Sequence, residues 1–252
     1  MDLGLTDRVY VLTGASRGLG FATAQALVAD GARVVISSRD AGHASDAADR
    51  LGADRAVGLA LDLADPQTPQ RLVDEARQRF GRLDGALISV GGPPRGTAAQ
   101  ITDEQWRASF ETVFLGAVRV ARTVADGLSD GGAIAFVLSS SAREPLGMLG
   151  ISNGLRPGLA GVAKDMADEF GPRGIRVLSL LPGRILTDRN RELFAATGDA
   201  ERAQAQAEAS IPLRRIGQPD EFGTVAAFLL SPAANYLTGI AVPVDGGALR
   251  AW

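Results

Sequence analysis

Three glycines and two arginines carry the clearest chemistry in this chain. The apolar run Val9-Tyr10-Val11-Leu12 passes through Thr13 into Gly14-Ala15-Ser16-Arg17-Gly18-Leu19-Gly20, and a helix-period segment opens at Phe21. In such a strand–turn–helix unit Gly14 permits the tight turn, Gly18 lets the backbone approach a pyrophosphate, and Gly20 lets helix and strand pack closely. Ser16 and Leu19 complete the turn. The phosphates would rest on the free N–H groups of the helix N-terminus, where the helix dipole favours negative charge. The second apolar run, Arg33-Val34-Val35-Ile36-Ser37, ends in Ser38-Arg39 and not in an acid. An acid there would hold the adenosine ribose diol, whereas a small hydroxyl followed by a guanidinium favours a 2′-phosphate. With Arg17 placed to reach the same phosphate, the expected cofactor is NADP(H). Asp62-Leu63, beyond the third run, is placed to border the adenine, although an Asp after a strand is also ordinary turn chemistry.

Acid–base chemistry has few side chains to draw on. Lys164 is the only lysine, His43 the only histidine, and Tyr10 and Tyr236 the only tyrosines. The chain has no cysteine, which excludes disulfides and thiolate metal sites, and no metal site is expected.

The elements that must position these residues alternate from end to end. Strands are expected at 8–13, 32–37, 56–60, 85–90, 132–138, 175–180 and 240–244, with helices at about 18–30, 41–51, 66–80, 102–128, 153–170 and 219–230. Strands apolar on both faces and separated by helices predict an α/β fold with a doubly wound parallel sheet covered on both sides. No linker, repeat or low-complexity tract divides residues 1–252, so a single domain is expected. The irregular stretch 184–217 contains a good local helix at 199–209, and reads equally as a lid or as a solvated insertion. A net charge of −3 and arginines scattered among acids point away from nucleic acid. No stretch approaches the roughly 20 apolar residues of a membrane span, and residues 1–8 carry no leader-type pattern. A cytoplasmic protein with a small-molecule substrate is the expectation.

Taken together, these segments resemble the short-chain dehydrogenase/reductases over essentially the whole chain. Residues 13–20 look like the family's TGxxxGxG turn, and Asp62-Leu63 falls where its adenine-binding Asp lies. Pro182-Gly183-Arg184-Ile185-Leu186-Thr187-Asp188 resembles its PGxIxTD segment, whose Ile and Thr hold the nicotinamide carboxamide. Tyr236-Leu237-Thr238-Gly239 and Val244-Asp245-Gly246-Gly247 are similar to its C-terminal strand and tail. The resemblance implies a Rossmann-type sheet of seven parallel strands, a dinucleotide cofactor, and a homo-oligomer, tetramer or dimer.

The departures fall in one place. The family typically uses Asn, Ser, Tyr and Lys, with Tyr and Lys four residues apart on one helix. Ser139 matches the Ser, but the Tyr position falls at Ser152, the Lys position at Arg156 and the Asn position at Val113. Of the NNAG segment after the fourth strand only Gly91 is kept, in Ile88-Ser89-Val90-Gly91. Serine is too weak an acid to replace a phenol unless a base activates it. Arginine keeps the positive charge but holds its proton, its pKa ordinarily exceeding about 12. Pro157 directly follows Arg156, and an interior proline breaks helices. The helix is therefore expected to start near 157, with Ser152 and Arg156 in an irregular lead-in. Three readings stay open. In the first, an NADP(H)-dependent oxidoreductase polarises a carbonyl through Ser139, Ser152 and Arg156 while water supplies the proton. In the second, an enzyme whose bound nucleotide is structural, or whose chemistry is non-redox, grips an anionic substrate with Arg156 and Ser139. In the third, a nucleotide-binding regulatory protein has lost catalysis. Arg95, Arg143, Arg184 and Arg189 near the expected cleft would suit an acidic substrate, and would equally suit a solvated face.

Overall fold

The computed structural model of the chain describes residues 2–129 and 131–251. Seven strands, β1 (Val9–Leu12), β2 (Arg33–Ser38), β3 (Ala56–Ala60), β4 (Gly85–Ile88), β5 (Gly132–Val137), β6 (Ile175–Pro182) and β7 (Ala241–Val244), form one sheet. Their order is β3-β2-β1-β4-β5-β6-β7 and every pairing is parallel. β1 shows why the strands read as unbroken apolar runs. Val9 and Val11 enter the core on one face of the sheet while Tyr10 and Leu12 enter the core on the other. With both faces covered, no position along the strand is left for a polar side chain.

The helices are α1 (Gly18–Ala29), α2 (Ala41–Leu51), α3 (Thr68–Phe80), α4 (Asp103–Ser109), α5 (Gly116–Gly127), α6 (Gly150–Phe170), α7 (Asp188–Ala195), α8 (Ala200–Ser210) and α9 (Pro219–Leu230). α3, α5 and α6 bury their apolar faces in one core, and α1, α2 and α9 in the other. Because β1 is flanked by β2 and β4, the chain leaves these neighbouring strands in opposite directions. The crevice at their C-terminal ends is where doubly wound sheets take ligands.

Three expected elements differ. The helix expected at 102–128 is interrupted by a π-helical turn at Phe110–Leu115, beyond which Gly116 lies so close to Leu63 that an added Cβ would stand 2.5 Å from the Leu63 carbonyl oxygen. The stretch 184–217 holds α7 as well as α8, and the two share a small cluster of Phe194, Ala207, Ile211 and Ile216.

The third difference is a correction: α6 begins at Gly150 and carries Pro157 inside it. An interior proline costs about 3 kcal/mol. Against that, the first turns are held from outside. The Gly150 N–H donates to the Gly96 carbonyl at 2.9 Å. The Asn153 amide accepts from the Leu146 N–H at 3.0 Å and donates to the Leu146 carbonyl at 2.9 Å. Ile151, Leu155 and Leu159 are buried along the same face, each contributing about 1.5–3 kcal/mol. Tertiary packing therefore wins, and Ser152 and Arg156 share the buried face of a continuous helix.

Candidate active site

The glycine turn has the geometry its spacing called for. Gly14 and Gly18 adopt left-handed φ values of +57° and +58°. A Cβ on Gly14 would approach the Ser89 carbonyl oxygen to 2.7 Å, and one on Gly20 would approach the Ala15 Cα to 2.8 Å. Thr13 ties the ends of β1 and β4 together. Its hydroxyl donates to the Ser89 carbonyl at 2.8 Å and accepts from the Ser89 N–H at 2.9 Å. At the start of α1 no side chain caps the helix and no acid occupies the first turn, which leaves its N–H groups for an anion.

Of the residues expected at the cofactor, Gly14, Ser16, Arg17, Ser38, Arg39, Asp62, Leu63 and Gly91 line one cavity of about 550 Å³. Gly18, Leu19 and Gly20 form the first turn of α1 at its edge. Arg17 and Arg39 are exposed, and among the described residues neither has an acid partner. Asp62 spends one carboxylate oxygen on the Ala64 N–H at 2.9 Å, so the turn chemistry and the cavity wall coexist.

Pro182, Gly183, Ile185 and Thr187 lie outside that cavity lining but converge on the same turn. Pro182 ends β6, and the Gly183 N–H donates to the Val244 carbonyl at 3.0 Å. Ile185 is buried and bridges to Gly217. Thr187 caps α7 without using its side chain, and its methyl group would sit 3.6 Å from a Cβ on Gly18. A segment 169 positions along the chain from Gly18 thus closes over the glycine turn.

Ser139, Ser152 and Arg156 also lie outside that cavity lining, in a group of small hydroxyls backed by a cation beyond the end of β5. Ser139, at the end of β5, accepts the Ser141 N–H at 3.1 Å. The buried Ser141 and Ser152 hydroxyls are 2.8 Å apart. Ser141 was not anticipated; only the fold reveals that a residue two positions after Ser139 meets the first turn of α6. Arg156 is 4% exposed. Its Nη1 donates to the Val137 carbonyl at 2.9 Å, and its buried Nε has no partner. Burial, together with the positive charge of Arg189, pushes its pKa down to about 10, below the range expected of an arginine, and the group remains charged at neutral pH. Val113, where an Asn was sought, is a buried apolar residue in the π turn.

The scarce acid–base side chains lie elsewhere. Tyr10 is buried in β1 with its hydroxyl on the Leu230 carbonyl at 3.2 Å, and burial raises its pKa. Tyr236 is fully exposed, Lys164 packs at Gly239, and His43 is an exposed residue of α2 beside Asp40. Of the cleft arginines, Arg143 is committed to the Ala241 carbonyl at 3.0 Å, while Arg189 reaches the Pro93 carbonyl at 3.3 Å. No helix among the described residues is long and apolar enough to cross a membrane.

A family model described as Enoyl-(Acyl carrier protein) reductase matches residues 14–248. The chain belongs to the short-chain dehydrogenase/reductase family. Within it, the chain is 31% identical to the 3-oxoacyl-(acyl-carrier-protein) reductase of Salmonella typhimurium, over 97% of this chain and 98% of that one. It is 33% identical to the L-rhamnose 1-dehydrogenase (NAD(P)(+)) of Azotobacter vinelandii, over 96% and 97% of the two chains. Among solved structures, L-sorbose reductase of Gluconobacter frateurii, complexed with NADPH and L-sorbose, superposes with a TM-score of 0.95 at 31% identity and covers both chains fully. The short-chain dehydrogenase/reductase fold therefore accounts for the whole sheet.

Proposed function

We propose that this chain is an NADP(H)-dependent oxidoreductase acting on a carbonyl/alcohol pair, with Ser152 and Arg156 standing where the family carries tyrosine and lysine. The observation that carries the reading is the pair of acid-free guanidinium groups, Arg17 and Arg39, on a cavity whose wall is the glycine turn. No acid at the end of β2 opposes a 2′-phosphate there. The dinucleotides named for L-sorbose reductase and L-rhamnose 1-dehydrogenase agree with it.

The residues fit the cofactor: Gly14 and Gly18 would leave room for its phosphates against the uncapped start of α1, and Ile185 and Thr187, which close over the glycine turn, would hold its nicotinamide end as the family resemblance implies. When bound, the cofactor supplies or accepts the hydride. The remaining chemistry belongs to the protein. Ser139 keeps its own O–H to donate to a carbonyl oxygen, since its hydrogen bond with the Ser141 N–H uses only a lone pair. The hydroxyl pair of Ser141 and Ser152 extends this polar wall. Arg156, charged and desolvated, stabilises negative charge on that oxygen without giving up a proton, which water supplies. Residues 184–217 act as a lid; α7 and α8 share their own apolar cluster and can shift as a unit. We read the assembly as a homo-oligomer.

A second reading, a nucleotide-binding protein without turnover, is favoured by one specific fact. Tyr10, Tyr236, Lys164 and His43 all lie away from the group at Ser139 and Arg156. Fluorescence titration with NADPH and NADH comes first. Arg39→Glu is expected to weaken NADPH by about 10–100-fold, the value of a lost charge-assisted contact, while sparing NADH. Failure of the protein to bind either dinucleotide would sink the proposal. NADPH oxidation is then followed with ketones, sugars and 3-oxoacyl thioesters. Binding with no oxidation of any of them selects the second reading. A large gain in Ser152→Tyr/Arg156→Lys would locate the deficit in those two residues.

A further inference from the structure

The guanidinium of Arg156 is more than a substitute for a lysine charge. Nη1 is engaged by the Val137 carbonyl, but among the described residues Nε is buried without a partner and Nη2 has no hydrogen-bond acceptor. The uncommitted edge is therefore the Nε–Nη2 side, two parallel donors that match the two oxygens of a carboxylate. Among the described residues no carboxylate lies within ion-pair distance of Arg156 or of Arg189.

Arg189, on the first turn of α7, brings a second positive charge to the loop after β4. Its Nη2 donates to the Pro93 carbonyl, and its guanidinium packs on Gly92 so closely that any side chain there would collide with it. Val137 ends β5, and Gly92-Pro93 follow the adjacent strand β4. Val90, between β4 and Gly92, packs with Ile151 and Leu155 of α6, so the loop that Arg189 rests on runs past the turns of α6 that carry the desolvated Arg156, and among the described residues neither cation has an acid within ion-pair distance. Their proximity is also felt in the depressed pKa of Arg156. Such an arrangement is costly as long as it lacks an anion, and an anion relieves both the desolvation and the repulsion.

We infer that Arg156 and Arg189 form a two-guanidinium site that takes the carboxylate of an acidic carbonyl substrate on the Nε–Nη2 edge of Arg156, leaving the second Nη1 proton of Arg156 for the carbonyl oxygen. This rests on the redox reading above. The same chemistry would also suit the pyrophosphate of the dinucleotide, and the test separates the two.

Malonate, with malonamide as its uncharged match, is titrated by calorimetry into the NADP+-loaded protein, where no turnover occurs. Malonate is expected to bind at least about tenfold more tightly than malonamide. Arg189→Gln, a change at an exposed residue that leaves the fold intact, should cost malonate about tenfold and leave malonamide and NADP+ affinity unchanged. Arg156→Met should abolish the preference for malonate. Equal binding of malonate and malonamide, or no malonate binding, or malonate affinity indifferent to Arg189, overturns the inference. So does competition between malonate and NADP+ with Arg189→Gln weakening NADP+, because the pair then serves the pyrophosphate. If the wild-type protein binds no dinucleotide, the redox reading falls by itself. Malonate titrated into the unliganded protein then decides the anion site by the same dependence on Arg189.

Discussion

Two arginines are buried among the described residues, Arg156 on α6 at 4% exposure and Arg176 on β6 at 8%, and they are treated in opposite ways. Arg176 stands at the N-terminal end of its strand and spends both terminal nitrogens. Nη1 donates to the Leu229 and Leu237 carbonyls at 2.7 and 3.3 Å, and Nη2 to those of Ser231 and Leu230 at 2.8 and 3.3 Å. Three of these carbonyls belong to the C-terminal end of α9, where the helix dipole is negative and the last carbonyls lack partners. Arg156, near the C-terminal ends of the strands, has one carbonyl and an orphaned Nε. Burial depresses the pKa of both. The difference teaches which charge belongs to the fold. A guanidinium that closes a set of unpaired carbonyls is structural, and one left with free donors at the ligand-binding edge of a parallel sheet is held ready for something else.

The largest effect should come from the structural member. Arg176→Met orphans carbonyls at the end of α9 and should lower stability by about 3 kcal/mol or more, read as a drop in the urea midpoint. Arg156→Met should do the reverse: stability unchanged or raised, because a desolvated charge disappears, with turnover reduced by about 100-fold, comparable to losing one preorganised donor at a developing oxyanion. If the two variants lose stability equally, the contrast is broken and Arg156 is simply part of the scaffold.

The sequence made one side of this contrast readable and hid the other. Where strands are buried on both faces, as in β1, local composition is enough, and the glycine turn followed because left-handed φ at Gly14 and Gly18 demands that residue type. α2 emerged with the expected bounds since its cap, Asp40 on the His43 N–H, is local. The start of α6 was not readable. Proline rules are local, whereas the contacts that override Pro157 reach back to Gly96 and Leu146. The hydroxyl pair of Ser141 and Ser152, and the approach of Arg189 to Gly92, depend on chain segments that only the finished sheet brings together. α7 escaped because its polar sequence Asp188-Arg189-Asn190-Arg191-Glu192 shows no apolar residue until Leu193-Phe194.

A smaller effect sharpens the reading of Arg156 as an uncompensated charge. Its folded pKa, about 10, lies below the ordinary arginine value that the unfolded chain retains. Below pH 10 both states are protonated and the burial cost is fully present. Above it the folded chain releases a proton that the unfolded chain keeps, so this group's contribution makes stability rise with pH from about 10 up to the unfolded arginine value. Tyr10 acts in the opposite sense, since its raised pKa keeps it protonated where the unfolded phenol ionises, but that contribution is common to wild type and variant. The stability advantage of Arg156→Met over wild type should therefore shrink by about 1 kcal/mol between pH 9 and pH 11, measured by denaturant unfolding at each pH. An unchanged gap would mean that the guanidinium finds a counter-charge in the fold.

The smallest expected effect tests the structural end of the molecule through a neutral group. The Tyr10 hydroxyl shares the Leu230 carbonyl with Nη2 of Arg176, at 3.2 and 3.3 Å. Tyr10→Phe removes one donor but leaves that carbonyl occupied, so it should cost only about 0.5–1 kcal/mol. In Arg176→Met the same carbonyl depends on the phenol alone, and the two changes together should cost more than their sum. NADPH binding and any turnover should be unaffected, because Tyr10 lies inside β1 and faces α9 rather than the cleft. A loss of turnover at unchanged stability would make the buried phenol part of the chemistry, and the division of labour between the two ends of the sheet would fail with it.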